Sequence, residues 1–295
     1  MKNKIKIAKS SGFCFGVKRA IELAEKVAEK NGKVYTFGPL IHNPQEVKRL
    51  DAEGIKVIED YSKIKTGIIV LRTHGIEQEI HEKLSKRKNI KVIDATCPFV
   101  KRAQEIVKKL SGISDQIVIV GEKTHPEVIA LVSYGKGRCV VVEDKKDVKK
   151  IKKTPVIHIV SQTTQSPKQF ASIVELIAKI SKVKIYNTIC RATFDRQGSA
   201  EKLAKLVDIM VVIGGKNSGN TRRLYQICSQ KVKTYHIENV EEIKKSWFNN
   251  SNKVGITAGA STPNWIIENI KRRIEGICES GRKDNKQEKR SEQRK

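Results

Sequence analysis

Short apolar runs rich in Val and Ile recur along this chain, each followed by a polar loop and then a stretch of helical spacing. The runs predict strands at 34–37, 55–58, 68–71 and 91–93, then at 116–120, 139–142, 156–160 and 183–186. A third set lies at 209–213, 232–237 and 253–257. Runs this short and continuous suit strands covered on both faces. Their alternation with helices, for example at 17–30, 44–51, 222–228 and 263–278, predicts parallel sheets joined by right-handed crossovers. The third set lacks a closing strand, and Ile5-Lys6-Ile7-Ala8 at the N-terminus is expected to complete its sheet.

The chain also repeats itself at one fixed spacing. Cys14, Cys97 and Cys190 each follow an apolar run; a glycine stands twenty-four residues later (Gly38, Gly121, Gly214) and a polar loop residue twenty-eight later (His42, His125, Ser218). Val17-Lys18-Arg19-Ala20 returns as Val100-Lys101-Arg102-Ala103. A fixed period marks one unit folded several times. The expected architecture is α/β: three small domains of mainly parallel sheet and helices, in a pseudo-threefold cloverleaf around a central cofactor. Their expected bounds are 14–96, 97–189 and 190–280, the last completed by residues 1–13, with 281–295 as a disordered basic tail.

Composition narrows the class. Hydrophobic residues make up 38% and charged residues 31% of 295, which is globular. No run approaches the roughly 18–20 apolar residues that cross a bilayer. The lysines at the N-terminus precede no apolar core, so that segment reads as an edge strand rather than a signal peptide. A cytoplasmic location follows as an expectation. There the six cysteines are thiols or metal ligands, not disulfides. The net charge of +27 suggests nucleic acid, but aromatics are only 5% and no zinc-finger, RRM or KH signature is present. A solvated basic surface that attracts an anionic substrate is the expected reading, with no nucleic acid and no membrane as partner.

No C-x-x-C occurs, so zinc-ribbon spacing is absent. Three cysteines in matched contexts, one per unit, instead suggest thiolate ligands of a shared centre with one open coordination site; an iron–sulfur cluster takes such ligands. Buried core thiols are the competing reading, and it is the one adopted for Cys139, Cys228 and Cys278. His42, His74 and His125 follow strands in loops, where imidazoles can donate to an anion; His81, His158 and His236 are assigned to structure. Gly214–Gly219 leads towards a helix and offers backbone N–H groups to an anion, as do Ser261 and Thr262 before Pro263. Glu127, near His125 and the hydroxyls of Thr163 and Thr164, has the chemistry of a proton relay. Its competing role is a first-turn helix acid.

At these residues the chain resembles the LytB/IspH family of 4-hydroxy-3-methylbut-2-enyl diphosphate reductases. Matching segments include Gly12-Phe13-Cys14-Phe15-Gly16-Val17, Gly38-Pro39-Leu40-Ile41-His42-Asn43, Thr73-His74-Gly75, Asp94-Ala95-Thr96-Cys97-Pro98, His125-Pro126-Glu127-Val128, Ser161-Gln162-Thr163-Thr164, Asn187-Thr188-Ile189-Cys190, Asn217-Ser218-Gly219-Asn220-Thr221 and Ala258-Gly259-Ala260-Ser261-Thr262-Pro263. The resemblance implies one 4Fe-4S cluster on Cys14, Cys97 and Cys190, with an open iron that receives the substrate's allylic hydroxyl. It implies reductive loss of that oxygen as water, giving isopentenyl and dimethylallyl diphosphates. His42, His74, His125, Gln162, Thr163, Thr164, Ser218, Asn220 and Ser261 would contact the substrate, and Glu127 with Thr163 would deliver the proton. Gly219 stands where some members have a second serine, so its contact would fall to the backbone N–H. A low-potential electron donor of ferredoxin or flavodoxin type is implied as partner, to a monomer or weak homodimer. A structural zinc protein and a non-catalytic phosphate binder are the rival readings.

Overall fold

The computed structural model describes residues 4–249 and 253–292. In chain order the first elements are β1 (Lys4–Ile7), α1 (Phe15–Asn31), β2 (Val34–Phe37), α2 (Pro44–Ala52), β3 (Ile55–Ile58), β4 (Gly67–Leu71), α3 (Gln78–Ser85) and β5 (Ile90–Asp94). Then come α4 (Pro98–Leu110), β6 (Ile117–Val120), α5 (Pro126–Tyr134), β7 (Cys139–Val142), β8 (Val156–Ser161), α6 (Pro167–Ala178) and β9 (Lys182–Tyr186). The remainder is α7 (Arg191–Ala204), β10 (Ile209–Ile213), α8 (Gly219–Ser229), β11 (Lys233–Ile237), β12 (Lys253–Ala258) and α9 (Asn264–Glu292).

These strands form three four-stranded sheets, ordered β3-β2-β4-β5, β7-β6-β8-β9 and β11-β10-β12-β1. Every pairing is parallel. The three orders are one order. In each, the chain leaves the first strand of the unit to one side and returns on its other side, which makes a topological switch point between two central strands. β1 takes beside β12 the place that β5 and β9 take in their sheets, with Ile5 opposite Val254 and Ile7 opposite Ile256.

The chain divides into two compact units, Cys14–Phe194 and Met1–Phe13 with Asp195–Lys295. The first holds two sheets. α4 follows the first sheet yet packs on the second: Ala103, Val107 and Leu110 join Ile117, Ile119, Val128, Leu131 and Val160 in one buried cluster. α3 meets α5 through Gln78, whose N–H donates to Ser133 Oγ at 2.9 Å. Two repeats therefore share one compact unit. In the other unit, one face of the sheet packs Val211, Ile213, Val254 and Ile256 against Ile266, Ile267, Ile270 and Ile274 of α9. The opposite face packs Met210 and Val212 against Ala200, Leu203, Leu224 and Cys228.

The repeated glycines now have a cause. Gly38, Gly121 and Gly214 each end the first strand of their unit, and each N–H donates to the end of the neighbouring strand: Ile58 O (2.8 Å), Val142 O (3.1 Å) and Ile237 O (3.0 Å). A Cβ at Gly121 would stand 2.8 Å from Val128 Cγ2 and 2.9 Å from Gln162 Cβ, and one at Gly38 would stand 2.7 Å from Arg72 Nη1. Glycine thus lets the loop after the third strand close over the end of the first.

Two expectations differ from the structure. α8 begins at Gly219, not Arg222, because Ser218 Oγ accepts from Thr221 N–H and starts the helix three residues early. The segment expected as a disordered tail from 281 continues as α9 to Glu292. Its Lys, Arg, Glu and Gln are good helix formers, and propagation from an anchored helix costs no new nucleus; residues 293–295 of that expectation lie outside the described residues.

Overpacking a core site costs about 1–3 kcal/mol. Gly121→Ala should therefore lower stability by that amount, read as a lower urea midpoint with an unchanged slope.

Candidate active site

All three matched cysteines sit directly before helices: Cys14 caps α1, Cys97 caps α4 and Cys190 precedes α7. A helix N-terminus presents free N–H groups and partial positive charge, which favour a thiolate. The Phe99 and Val100 N–H groups act on the Cys97 thiol in the direction opposite to burial, lowering its pKa. The Thr193 hydroxyl pairs with Cys190 Sγ at 3.0 Å, and the Thr193 N–H donates to Cys190 O at 3.0 Å. The loops of the third strands hold the cysteine backbones: Cys97 N–H donates to Thr73 O and Cys190 N–H to Thr163 O, both at 3.0 Å.

The sulfurs are within electrostatic reach of one another. Burial, followed by repulsion from Cys14 and Cys190, raises the Cys97 thiol; burial, then Cys14 and Glu127, raise that of Cys190. A Cβ built on Gly16, in the first turn of α1, would stand 2.5 Å from Cys97 Sγ. Soft thiol donors that oppose one another's ionisation, each at a helix N-terminus, fit a cationic iron–sulfur centre. The other cysteines serve packing. Burial pushes Cys139 and Cys228 up to about 12, and Cys278 joins the core from α9 itself.

The switch points carry the polar groups. In the first sheet His42 follows β2 and His74 follows β4; in the second, His125 follows β6 and Gln162, Thr163 and Thr164 follow β8. The three imidazoles converge. Ring centroids lie 4.3 Å apart for His42 and His74, 5.4 Å for His42 and His125, and 5.3 Å for His74 and His125. Desolvation, then His42, His125 and Arg72, hold His74 well below the usual histidine range. Among the described residues its buried Nδ1 has no hydrogen-bond partner. His125 Nδ1 accepts from Glu127 N–H at 3.1 Å. In the neutral ring that leaves the proton on Nε2 as a donor.

Glu127 lies in the first turn of α5 and is 1% exposed. Its carboxylate accepts from Thr163 N–H at 2.6 Å and from Thr163 Oγ1 at 2.8 Å. Desolvation raises its pKa to about 7, against the lowering effect of those two bonds. It is thus a first-turn acid, and also a buried one facing a cysteine. Gln162 is occupied in holding loops together: Oε1 accepts from Glu122 N–H (3.0 Å), and Nε2 donates to Thr164 Oγ1 (2.9 Å).

In the other unit Ser218 caps α8, with Gly219 and Asn220 in its first turn. Asn220 is buried, and among the described residues neither its Oδ1 nor its Nδ2 has a hydrogen-bond partner. An orphaned buried amide has an energetic reason to meet a ligand. Ser261 is half-buried, just before α9. Of the three histidines assigned to structure, two show structural bonds: His158 Nδ1 pairs with Ser114 Oγ (2.9 Å) and His236 Nε2 with Gly214 O (2.9 Å).

Two groups escaped the sequence reading. Arg72 ends β4's loop entry, donates from Nε to Gly75 O at 3.0 Å, and has its pKa lowered by burial, which places a cation beside His74. Thr193 sits on Cys190. Arg72 had one available signal, its place directly before Thr73-His74-Gly75.

Known proteins share this chain's sequence and fold. The sequence profile of the LytB protein family matches residues 5–275. A 4-hydroxy-3-methylbut-2-enyl diphosphate reductase of Aquifex aeolicus is 50% identical over 279 residues, covering 92% of this chain and 96% of the relative. That of Geobacter metallireducens is 47% identical over 276 residues, covering 93% and 98%. Among solved structures, a reductase of the same substrate, described as the terminal enzyme of the non-mevalonate pathway, is similar at TM-score 0.70 and 48% identity, covering 92% of this chain and 99% of the other. The Plasmodium falciparum E-1-hydroxy-2-methyl-but-2-enyl-4-diphosphate reductase is similar at TM-score 0.86 and 28% identity, covering 92% and 88%.

The buried carboxyl makes a stability prediction. With its folded pKa raised from 4.5 to about 7, Glu127 favours the fold fully below 4.5, and that advantage is lost as pH rises through 7. Denaturant titrations of Glu127→Gln against the parent should show the variant gaining relative stability from pH 5 to 8, on the order of 3 kcal/mol. No pH dependence of the difference would mean that the carboxyl titrates normally.

Proposed function

The chain belongs to the LytB family, and we infer that it reduces 4-hydroxy-3-methylbut-2-enyl diphosphate at the terminal step of the non-mevalonate route. The observation that carries the reading is the thiol cluster with the histidine triad and the Glu127–Thr163 pair in the same compact unit. The substrate's C–O bond breaks and a C–H bond forms. Two electrons and two protons are consumed, one proton leaving with the oxygen as water and the other joining the allylic carbon. Hydrogen delivered to either end of the allyl unit accounts for the two products, isopentenyl and dimethylallyl diphosphate.

The chain is an iron–sulfur reductase; Cys14, Cys97 and Cys190 are the ligands we assign to a 4Fe-4S cluster with one open iron. When bound, that cluster supplies a Lewis-acidic iron for the hydroxyl and a store of electrons. The protein's own groups do the rest. His42, His74 and His125 donate to the diphosphate, supported by the buried Arg72. A diphosphate among them would favour protonation of His74, which burial holds well below the usual histidine range. The family resemblance carries over Ser218, Gly219, Asn220 and Ser261 as further substrate contacts; among the described residues the Asn220 amide has both ends open. Gln162 and Thr164 fix the loop that carries Thr163.

Glu127 is the proton source. A pKa of about 7 leaves a large protonated fraction at neutral pH, the condition for efficient general acid catalysis. Thr163 Oγ1, bonded to the carboxylate at 2.8 Å, is positioned to pass a proton between Glu127 and substrate. The electron donor is a low-potential one-electron carrier. Among the described residues no helix is long and apolar enough to cross a membrane.

Two experiments test the assignments. Serine at Cys14, Cys97 or Cys190 should strip the iron and abolish turnover, whereas serine at Cys139, Cys228 or Cys278 should leave iron near the parent level; equal loss from both sets refutes the ligand choice. In anaerobic steady-state kinetics, Glu127→Gln should lower kcat by about two to four orders of magnitude with little change in KM. His42→Ala and Ser218→Ala remove contacts present in ground and transition states alike and should mainly raise KM. Parent-like kinetics of Glu127→Gln would return that residue to a structural role.

A further inference from the structure

The three cysteine turns differ at one place. Three residues after each ligand cysteine stands a side chain branched at Cβ: Val17, Val100 and Thr193. Each lies in the first turn of its helix, α1, α4 and α7 in order. All three are equally buried, at 6%, 3% and 2% exposed. The repeat thus keeps one side-chain shape at this position, and in the third unit it exchanges a methyl for a hydroxyl. Packing alone is served by valine, as the other two turns show. A buried hydroxyl left without a partner costs free energy, so the exchange calls for an acceptor.

The acceptor is a ligand sulfur. Thr193 Oγ1 lies 3.0 Å from Cys190 Sγ. A cysteine that ligates iron does so as a thiolate and has no proton to give, so in the loaded protein the hydroxyl is the donor. Val17 and Val100 offer Cys14 and Cys97 no such donor. Reduction adds negative charge to an iron–sulfur centre. A hydrogen bond to one of its sulfurs therefore favours the reduced form over the oxidised one and raises the potential. The same cysteine is tied to the proton-bearing side of the site: its N–H donates to the carbonyl of Thr163, whose hydroxyl bonds Glu127.

We propose that Thr193 raises the reduction potential of the thiol-bound iron–sulfur centre by donating its hydroxyl proton in a hydrogen bond to Cys190 Sγ, which makes Cys190 electronically unlike the two other ligands. The proposal rests on the reductase reading and its ligand assignment. In the step concerned one electron enters from an external one-electron reductant. The Thr193 O–H bond stays intact, and no bond in the protein breaks.

The test is an anaerobic potentiometric titration of the holoprotein with dithionite and redox mediators, without substrate, followed by visible absorbance and electron paramagnetic resonance. Thr193→Val makes the third turn like the other two. Poised at the parent's midpoint, it should show a reduced-to-oxidised ratio smaller by up to about tenfold, a downward shift of up to about 59 mV for one electron. Thr193→Ser keeps the hydroxyl and should restore the midpoint most of the way to the parent's. Val100→Thr places a second hydroxyl three residues after Cys97 and should move the midpoint up. A Thr193→Val protein with the parent's iron content and an unchanged or higher midpoint overturns the proposal. Should Thr193→Val lose its iron, Val100→Thr decides: a raised midpoint supports the proposal and an unchanged or lowered one overturns it. Turnover of the diphosphate reads the reductase assignment and the substrate-free midpoint reads Thr193, so the two can fail separately.

Discussion

Three thiols gathered in one place resist becoming three thiolates. Unit charges roughly 6 Å apart repel by about 3 kcal/mol at an effective dielectric of about 20, so three pairs oppose ionisation by about 8 kcal/mol. Burial adds to this, as the raised Cys97 and Cys190 thiols show. Helix N-termini return only about 0.3–1 kcal/mol each. The Phe99 and Val100 amides and the Thr193 hydroxyl also lower these thiols, but burial outweighs them. Without a cation the raised thiols stay protonated, and a bound cationic centre would be what favours three thiolates.

The same topology that gathers the cysteines gathers the polar groups. Each sheet repeats one strand order, so the end of its first strand and the end of its third are neighbours. Glycine at the first end lets the second loop close over it, as Gly121 does beneath Gln162. That loop then carries Thr163, whose N–H and hydroxyl hold Glu127 and whose carbonyl holds the Cys190 backbone. One threonine thus ties the Glu127 carboxyl to the start of the helix that follows Cys190. Burial raises the Glu127 pKa and holds that of His74 well below the usual histidine range.

Much of this was legible in the sequence because the signals are periodic. Strand runs, the cysteine–glycine–histidine spacing and the place of β1 beside β12 all follow from one repeated pattern read against parallel-sheet rules. What escaped depended on contacts that no local pattern encodes. Arg72 looks like an ordinary loop-entry cation until the fold buries it beside His74. Thr193 looks like a helical threonine until its hydroxyl meets Cys190. The start of α8 was missed because Gly219 and Asn220 are poor helix formers, and the Ser218 cap overrides that preference. The C-terminal segment shows the reverse: composition read as disorder is also a run of good helix formers.

The central claim is that three equivalent cysteines hold a cluster whose remaining iron is open to substrate. Mössbauer spectroscopy of iron-labelled, anaerobically prepared holoprotein tests it directly. The account predicts that one iron in four is distinct from three thiolate-bound ones and that only its signal moves when the diphosphate substrate is added. Four equivalent irons, or a substrate-induced change shared by all of them, would contradict it.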